Sequence, residues 1–483
     1  MGGSVWRRGN SAFALRHEPF NARLFLRRLP AMGELHYDAP EGQETSTGAW
    51  YRDMTRYHWF VLLVASLAWL FDCLDQQLFN LARKPAMDEL LAGTDVNVTA
   101  YGFIATGVFL AGWGTGGLVF GALGDRMGRA KTMVWCILIY SACTGLSALS
   151  KGFWDFAAYR FLTGLGVGGV FAVGVTLVAE TVPASSRAGA LGLLQALSTV
   201  GNVSAAGIGF ALFFAQVDHA WRWMFVVGAL PAAMAVMVQR KVKEPELWLK
   251  AKEEGRIASG PLEALADLFR DRRWRNRALI GLAIGCVGII GFWGIGVFSS
   301  DLVASVLKDY LKDKDLDPAA QKLELTKWTS INLLMFNIGA FAGMMTFARL
   351  ARVLGRRPTF AIAFVLAFIA TVGLFQGLTS HLQVFWLSPI LGFCQLGIFA
   401  LYAIYFPELF PTRLRSTGTS FCYNVGRFVA AIGTVIQGYY ASQLAANSVD
   451  TLRTIGTYTS AVFLIGLLFL PFAPETKGKP LPE

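Results

Sequence analysis

The sequence predicts an all-α polytopic membrane protein, with twelve transmembrane helices in two pseudo-symmetric six-helix bundles. Three observations predict it. Long apolar runs alternate with short polar breaks along a chain of 483 residues, of which 54% are hydrophobic and only 16% charged, a composition far from that of soluble domains. Lys and Arg concentrate in every second connector, as charge asymmetry across a bilayer requires. The Glu, Pro and Arg that close one span also recur, at the same spacing, near the other end of the chain. The 51 glycines suit helices that must approach closely without a hydrophobic drive between them.

Residues 1–56 precede the first run. Arg7, Arg8, Arg16, Arg23, Arg27 and Arg28 make them basic, without a continuous apolar core of the signal-peptide kind. Met32 opens a more ordinary hydrophilic leader, so 1–31 read as an upstream start and the whole cytoplasmic segment as disordered. Spans are expected near 58–82, 100–123, 131–150, 155–179, 188–214 and 222–239, making a first bundle over 57–239. The basic connector 240–277 contains WLKAKEEG and LEALADLFRDRRWR. These read either as amphipathic helices on the inner surface, with Trp248 and Trp274 at the membrane interface, or as a solvated linker. Spans near 278–300, 328–349, 358–378, 383–406, 416–440 and 455–472 make the second bundle, 278–472, and 473–483 form a tail.

The connectors after even-numbered spans hold Arg126, Arg129 and Lys131, then Arg187, then Arg270 to Arg277, then Arg349 to Arg357, then Arg413 and Arg415. That excess marks the cytoplasmic side and places both termini there, in a plasma or inner membrane. The net charge of +11 is therefore read as anchoring and orientation, with the lipid bilayer as partner and no nucleic acid. Cys73, Cys136, Cys143, Cys286, Cys394 and Cys422 all lie in apolar stretches without metal-ligand spacing, so small hydrophobes are expected and no metal site. With no phosphate loop and no ligand cluster, the chain is expected to be neither an enzyme nor a cofactor binder.

The first span, Trp59 to Ala82, carries Asp72 and Asp75 one helical turn apart. A charge at mid-bilayer costs about 2.5–3.5 kcal/mol on the insertion scale, so such residues mark a proton, a cation or a wet cavity. Asp75 falls about two turns below the outer end of its span, and Arg160 a similar depth below the outer start of the fourth, so the two can meet and neutralise each other. Arg427 is the only charge in the eleventh span and lies near mid-depth; its fixed fork of donors suits a carboxylate. Beside it are Tyr423 and Asn424, and Tyr402 and Trp293 are further candidates to line a central cavity.

The halves repeat internally. Glu180, Pro183 and Arg187 are echoed by Glu408, Pro411 and Arg415, and Gly128-Arg129 by Gly355-Arg356. Two parallel six-helix repeats around a central site are a transporter plan. The loop Gly121-Ala-Leu-Gly-Asp125-Arg126-Met-Gly128-Arg129-Ala-Lys131, the stretch Arg160-Phe-Leu-Thr-Gly164-Leu-Gly166-Val-Gly168-Gly169 and the tail Pro474-Glu475-Thr476-Lys477-Gly478-Lys479 together resemble the major facilitator superfamily. The resemblance implies gating roles for Gly121, Asp125, Arg126, Gly128, Arg129, Glu180, Arg187, Glu408 and Arg415. In the second loop Arg352 or Val353 stands where the acid would be, so anchoring rather than gating is expected there. Asp75 and Arg160 look like the acid–arginine pair of proton-coupled sugar porters, and Asp72 like the extra acid of aromatic-acid and sialate symporters. Gln195 sits where sugar porters place a substrate-contacting glutamine, while Arg427 is similar to the arginine of organic-anion and sialate symporters.

The expected function is secondary active transport: proton symport of a small organic acid, sialate-like or aromatic-acid-like, by alternating access in a monomer. Asp72, Asp75 and Arg160 would couple the proton, and Gln195, Arg427, Asn424, Tyr423, Tyr402 and Trp293 would bind substrate. The alternatives are a neutral-sugar porter, an exporter running by antiport, and a sensor that has lost transport.

Overall fold

The computed structural model describes residues 49–215, 217–257, 260–312, 314, 317–443 and 449–482; the readings made of 1–48 lie outside these residues. Every regular element among them is helical. The first bundle comprises α1 (Arg56–Leu90), α2 (Val98–Met127), α3 (Arg129–Ser147), α4 (Phe153–Thr181), α5 (Ala184–Ala196), α6 (Ser198–Phe214), α7 (Ala220–Gly228) and α8 (Ala232–Lys241). The connector forms α9 (Glu246–Glu253) and α10 (Pro261–Arg270). The second bundle comprises α11 (Arg272–Lys312), α12 (Pro318–Leu354), α13 (Arg356–Gly377), α14 (Val384–Leu409), α15 (Arg415–Asn424), α16 (Gly426–Gln443) and α17 (Val449–Phe469).

Ten helices among the described residues are long and apolar enough to cross a membrane, α5 and α6 counting as one. The other two expected spans are present in two pieces each. Ala229, Leu230 and Pro231 interrupt the sixth, between α7 and α8, and Val425 interrupts the eleventh, between α15 and α16. Proline cannot donate the amide that would continue a helix. The repeat is visible in the packing: α2 lies against α4 as α12 lies against α14. A Cβ on Gly112 or Gly116 would strike the α4 backbone at Phe161 or Leu165, and one on Gly339 or Gly343 would strike α14 at Pro389 or Phe393. The halves meet along α2 against α15 and α16, and along α5 and α6 against α12.

The connector is helical, but its tryptophans are not at a lipid interface. Trp248 is buried, and its indole donates to the Asp125 carbonyl at 2.7 Å; Trp274 is also buried, with Arg273 and Arg277 over its ring at 4.9 and 5.2 Å. An amphipathic pattern shows that one face is apolar and does not say whether lipid or protein covers it.

Candidate functional site

Asp72, Asp75 and Arg160 are brought together in the bundle interior, each at most 1% exposed. One Asp75 oxygen accepts from Thr144 Oγ1 at 2.8 Å, and the other faces Arg160 Nη1 at 3.6 Å. Arg160 also donates to Ser147, Thr144 and Thr163 at 3.2, 3.2 and 2.9 Å, and lies over the Phe79 and Phe225 rings at 5.3 and 4.7 Å. The depth matching read from the sequence thus ends in an ion pair, made at 3.6 Å without a hydrogen bond between the two facing atoms. Asp72 differs: both its oxygens are buried without a hydrogen-bond partner, and the charges acting on it are those of Asp75 and Arg427. A buried carboxylate in that condition is stable only as the neutral acid or beside a compensating charge.

A central cavity of about 430 Å³ opens between the halves, with walls that include Gln195, Tyr423, Arg427 and Trp293. Its other walls climb α1 through Trp69, Cys73, Gln76, Asn80 and Arg83, away from the face that carries the Arg-rich connectors. Arg427 is 2% exposed. Its guanidinium lies over the Trp113 and Tyr423 rings at 4.1 and 4.3 Å, and Nη1 donates to Tyr423 O and Asn424 Oδ1 at 2.5 and 3.1 Å. Asn424 stands behind Arg427 and is not a wall of the cavity; its amide also donates to Ser420 Oγ at 2.9 Å. Tyr402 is not a wall either. Its hydroxyl donates to Ile284 O at 2.7 Å and accepts from Gly288 N at 3.0 Å, so the phenol is already satisfied by the α11 backbone.

Sequence reasoning missed Trp69 and Trp113, along with the amides Gln76 and Asn80. A signal was present: residues 69, 73, 76, 80 and 83 follow helical i, i+4, i+7 spacing, so one stripe of an otherwise apolar span is polar or indole-bearing.

At the basic face hydrogen bonds and an ion pair join the halves. Asp125 accepts from the backbone of Ser416 and Thr417, at the start of α15, at 3.1 and 2.8 Å, and from Thr417 Oγ1 at 2.7 Å. Arg129 pairs with Asp125 at 3.0 Å and Glu180 at 2.9 Å, and donates across the interface to Thr412 O at 2.7 Å. Arg415 crosses back to Glu180 at 2.5 Å, with both side chains wholly buried. Gly121 lets α2 approach α15 closely, since a Cβ there would strike Ser420. Gly128 takes a φ of +107°, which ends α2 and starts α3. Arg187 donates to Ala179 O at 2.9 Å, as Arg415 does to Pro407 O at 3.2 Å. Arg126 is exposed and makes none of these contacts. In the second repeat Arg356 pairs with Glu408 at 2.6 Å, a contact that stays within its own half.

Comparison with known proteins gives the family and the fold. The family model of the Major Facilitator Superfamily matches residues 65–308, and that of Sugar (and other) transporters matches 282–477. The chain is 28% identical over 404 residues to the sialic acid transporter NanX of Escherichia coli strain K12, covering 81% of this chain and 90% of that one. It is 29% identical over 385 residues to the cis,cis-muconate transport protein of Acinetobacter baylyi, covering 79% and 87%. Among solved structures, the proton:xylose symporter XylE bound to 6-bromo-6-deoxy-D-glucose superposes with a TM-score of 0.66 at 18% identity, covering 88% of this chain and 98% of that one, a likeness of fold.

Proposed function

The chain belongs to the Major Facilitator Superfamily, a family of membrane transporters of small molecules and not of enzymes, and from that premise we propose that it is a proton symporter of a small organic acid. The observation that carries this reading is one interior that holds both a buried, unpartnered carboxyl, Asp72, and a buried guanidinium, Arg427, on the wall of the cavity. The first supplies a place for a proton, and the second a counter-charge for a carboxylate. The relatives that transport sialic acid and muconate support an acid as cargo.

In the proposed cycle the Arg-rich face is cytoplasmic, and the state seen here is closed on that side and open to the other. Asp72 carries the proton while Asp75 stays with Arg160. Substrate docks on Arg427, Gln195, Tyr423 and Trp293, with Tyr402 and Asn424 supporting the wall from behind. The latch of Gly121, Asp125, Gly128, Arg129, Glu180 and Arg415 then releases, with Arg187, Glu408 and Arg126 on the same face. The same proton, passed one turn along α1 from Asp72 to Asp75, would then free Arg160 at that step.

The test is uptake into proteoliposomes under an imposed pH gradient. Asp75→Asn is expected to abolish uphill uptake while sparing counterflow exchange; normal uphill uptake in that variant overturns the coupling role. Moving one net charge through 100 mV is worth about 2.3 kcal/mol. A monoanion carried with one proton moves no net charge, so a membrane potential alone should not drive it. A second reading, a neutral-sugar porter, draws on the amides Gln76, Asn80 and Gln195 in the wall. It predicts electrogenic uptake and a dispensable Arg427.

A further inference from the structure

Most polar groups in the cavity wall already have partners. Asn202 Nδ2 donates to Asn337 at 3.0 Å, Asn80 Nδ2 to Gln77 at 2.9 Å and Thr434 Oγ1 to Ala431 O at 2.8 Å. Four wall residues each present a buried polar atom without one: Trp69 Nε1, Trp113 Nε1, Arg427 Nε and Gln195 Oε1. Their side chains are 3%, 3%, 2% and 3% exposed. The first three atoms are N–H donors and the fourth is an acceptor.

The donors belong to one patch. The Arg427 guanidinium lies over the Trp113 and Tyr423 rings at 4.1 and 4.3 Å, and the Trp69 and Tyr423 rings are 6.4 Å apart. The guanidinium covers the faces of Trp113 and Tyr423, Trp69 meets Tyr423 edge to face, and no protein acceptor takes any of the three N–H groups. Trp69 and Trp113 stand on α1 and α2 of the first half, and Arg427 on α16 of the second. We propose that the indole N–H groups of Trp69 and Trp113 join Arg427 in binding the substrate carboxylate, while Gln195 accepts from a hydroxyl or N–H on the same molecule. This rests on the organic-acid reading above and sharpens it: the cavity selects acids that also carry a hydrogen-bond donor.

The chemistry fits that class. An ionised carboxylate accepts only, with about four lone-pair positions for three N–H groups. An uncharged amide or ester offers its carbonyl fewer partners and gains nothing from the guanidinium charge. Gln195 Oε1 asks for a donor, which benzoate lacks and a hydroxybenzoate or sialic acid supplies. Because the donors come from both halves, a bound carboxylate bridges them.

The experiment is equilibrium binding to the purified full-length chain. The probes are benzoate, 4-hydroxybenzoate and N-acetylneuraminic acid, with 4-hydroxybenzamide and the methyl ester of the sugar acid as uncharged counterparts. Trp69→Phe and Trp113→Phe are each expected to weaken the preferred acid about ten- to a hundredfold, as loss of one charge-assisted hydrogen bond does, and to leave the uncharged counterpart nearly unchanged. Trp113→His, which keeps a ring N–H, should restore part of the loss, a recovery that a packing role would not give. Gln195→Leu should erase the preference for the donor-bearing acid over benzoate. Equal losses for acid and uncharged counterpart, no rescue by histidine, or unchanged binding in the phenylalanine variants each overturn the proposal. Arg427→Gln separates the two levels. If it selectively weakens the acids while the tryptophan variants do not, the organic-acid reading stands and this proposal falls. If it has no selective effect, or if none of the acids binds, both fall.

Discussion

Asp75 has one oxygen on Thr144 and the other facing Arg160, whereas both oxygens of Asp72, one turn away, are buried without a partner. The two carboxyls therefore respond differently to the same change. Asp75→Asn leaves the Arg160 guanidinium buried beside a neutral amide, and removing one partner of a buried pair costs about 3–5 kcal/mol. Asp72→Asn replaces a carboxyl that accepts no hydrogen bond, so it is expected to leave stability nearly unchanged or raise it. Thermal unfolding in detergent checks this: the Asp75 variant should melt well below the parent and the Asp72 variant should not. Equal losses would mean that Asp72 has an ionic partner in the native ensemble. The Asp75–Arg160 pair was legible in the sequence because depth along a helix follows from residue count. The donor role of Trp69 and Trp113 was not, because an aromatic residue in an apolar span looks the same whether it fills space or lines a cavity.

Among the elements, the fifth and eleventh spans break at matching places. Leu197 separates α5 from α6 and Val425 separates α15 from α16; each follows its arginine, Arg187 or Arg415, by the same number of residues. Gln195 and Tyr423 are then also equivalent, and both line the cavity. At both places the residue keeps helical dihedrals and donates to the carbonyl four residues back, Leu193 O at 3.0 Å and Phe421 O at 3.3 Å, so the helix is locally irregular without being unwound. The repeats also share a terminal device. Glu244 accepts from the backbone of Ala130 and Lys131 at 3.2 and 3.1 Å, at the start of α3. Glu475 accepts from Arg356 and Arg357 at 2.9 Å each, at the start of α13. An anion at a helix N-terminus is stabilising by about 0.3–1 kcal/mol. Burial pushes the Glu475 carboxyl up, but the N–H groups of Arg356, Arg357, Lys477 and Thr476 outweigh it and hold it below the usual glutamate range. A depressed value means stability that is present above that range and lost as pH falls through the lowered value. Glu475→Gln should accordingly lower the melting temperature by about one degree at neutral pH, and the gap to the parent should close in acid. A gap that persists unchanged at low pH would show that the carboxylate charge is not what anchors the tail. The sequence showed the repeated motifs, but not that each half closes its turn with an acid from a distant segment, since contacts that far apart in the chain leave no local pattern.

For the whole molecule the decisive fact is an asymmetry between its two faces. The cavity walls extend toward the face away from the arginines, while the basic face is held shut by cross-half contacts of Asp125, Arg129 and Arg415. Glu180 is the pivot, because it serves both Arg129 in its own half and Arg415 in the other. Its repeat equivalent, Glu408, takes Thr476 of the tail at 2.6 Å instead of an arginine from the opposite half. The latch is therefore one-sided in the repeat, in keeping with the missing acid near Arg352. Alternating access requires two states separated by a few kcal/mol, and losing one partner of a buried ion pair is of that size. Glu180→Gln is thus expected to populate the state open at the basic face. Cys73 on the cavity wall is a native reporter. With the other cysteines replaced, an impermeant thiol reagent should label the parent faster from the face away from the arginines. In the Glu180 variant the faster side should reverse, or the two rates should converge as both states fill. If Cys73 in that variant is labelled from the same side at the same rate as in the parent, these contacts do not set the balance between the two states, and the basic-face network is an anchor rather than a latch.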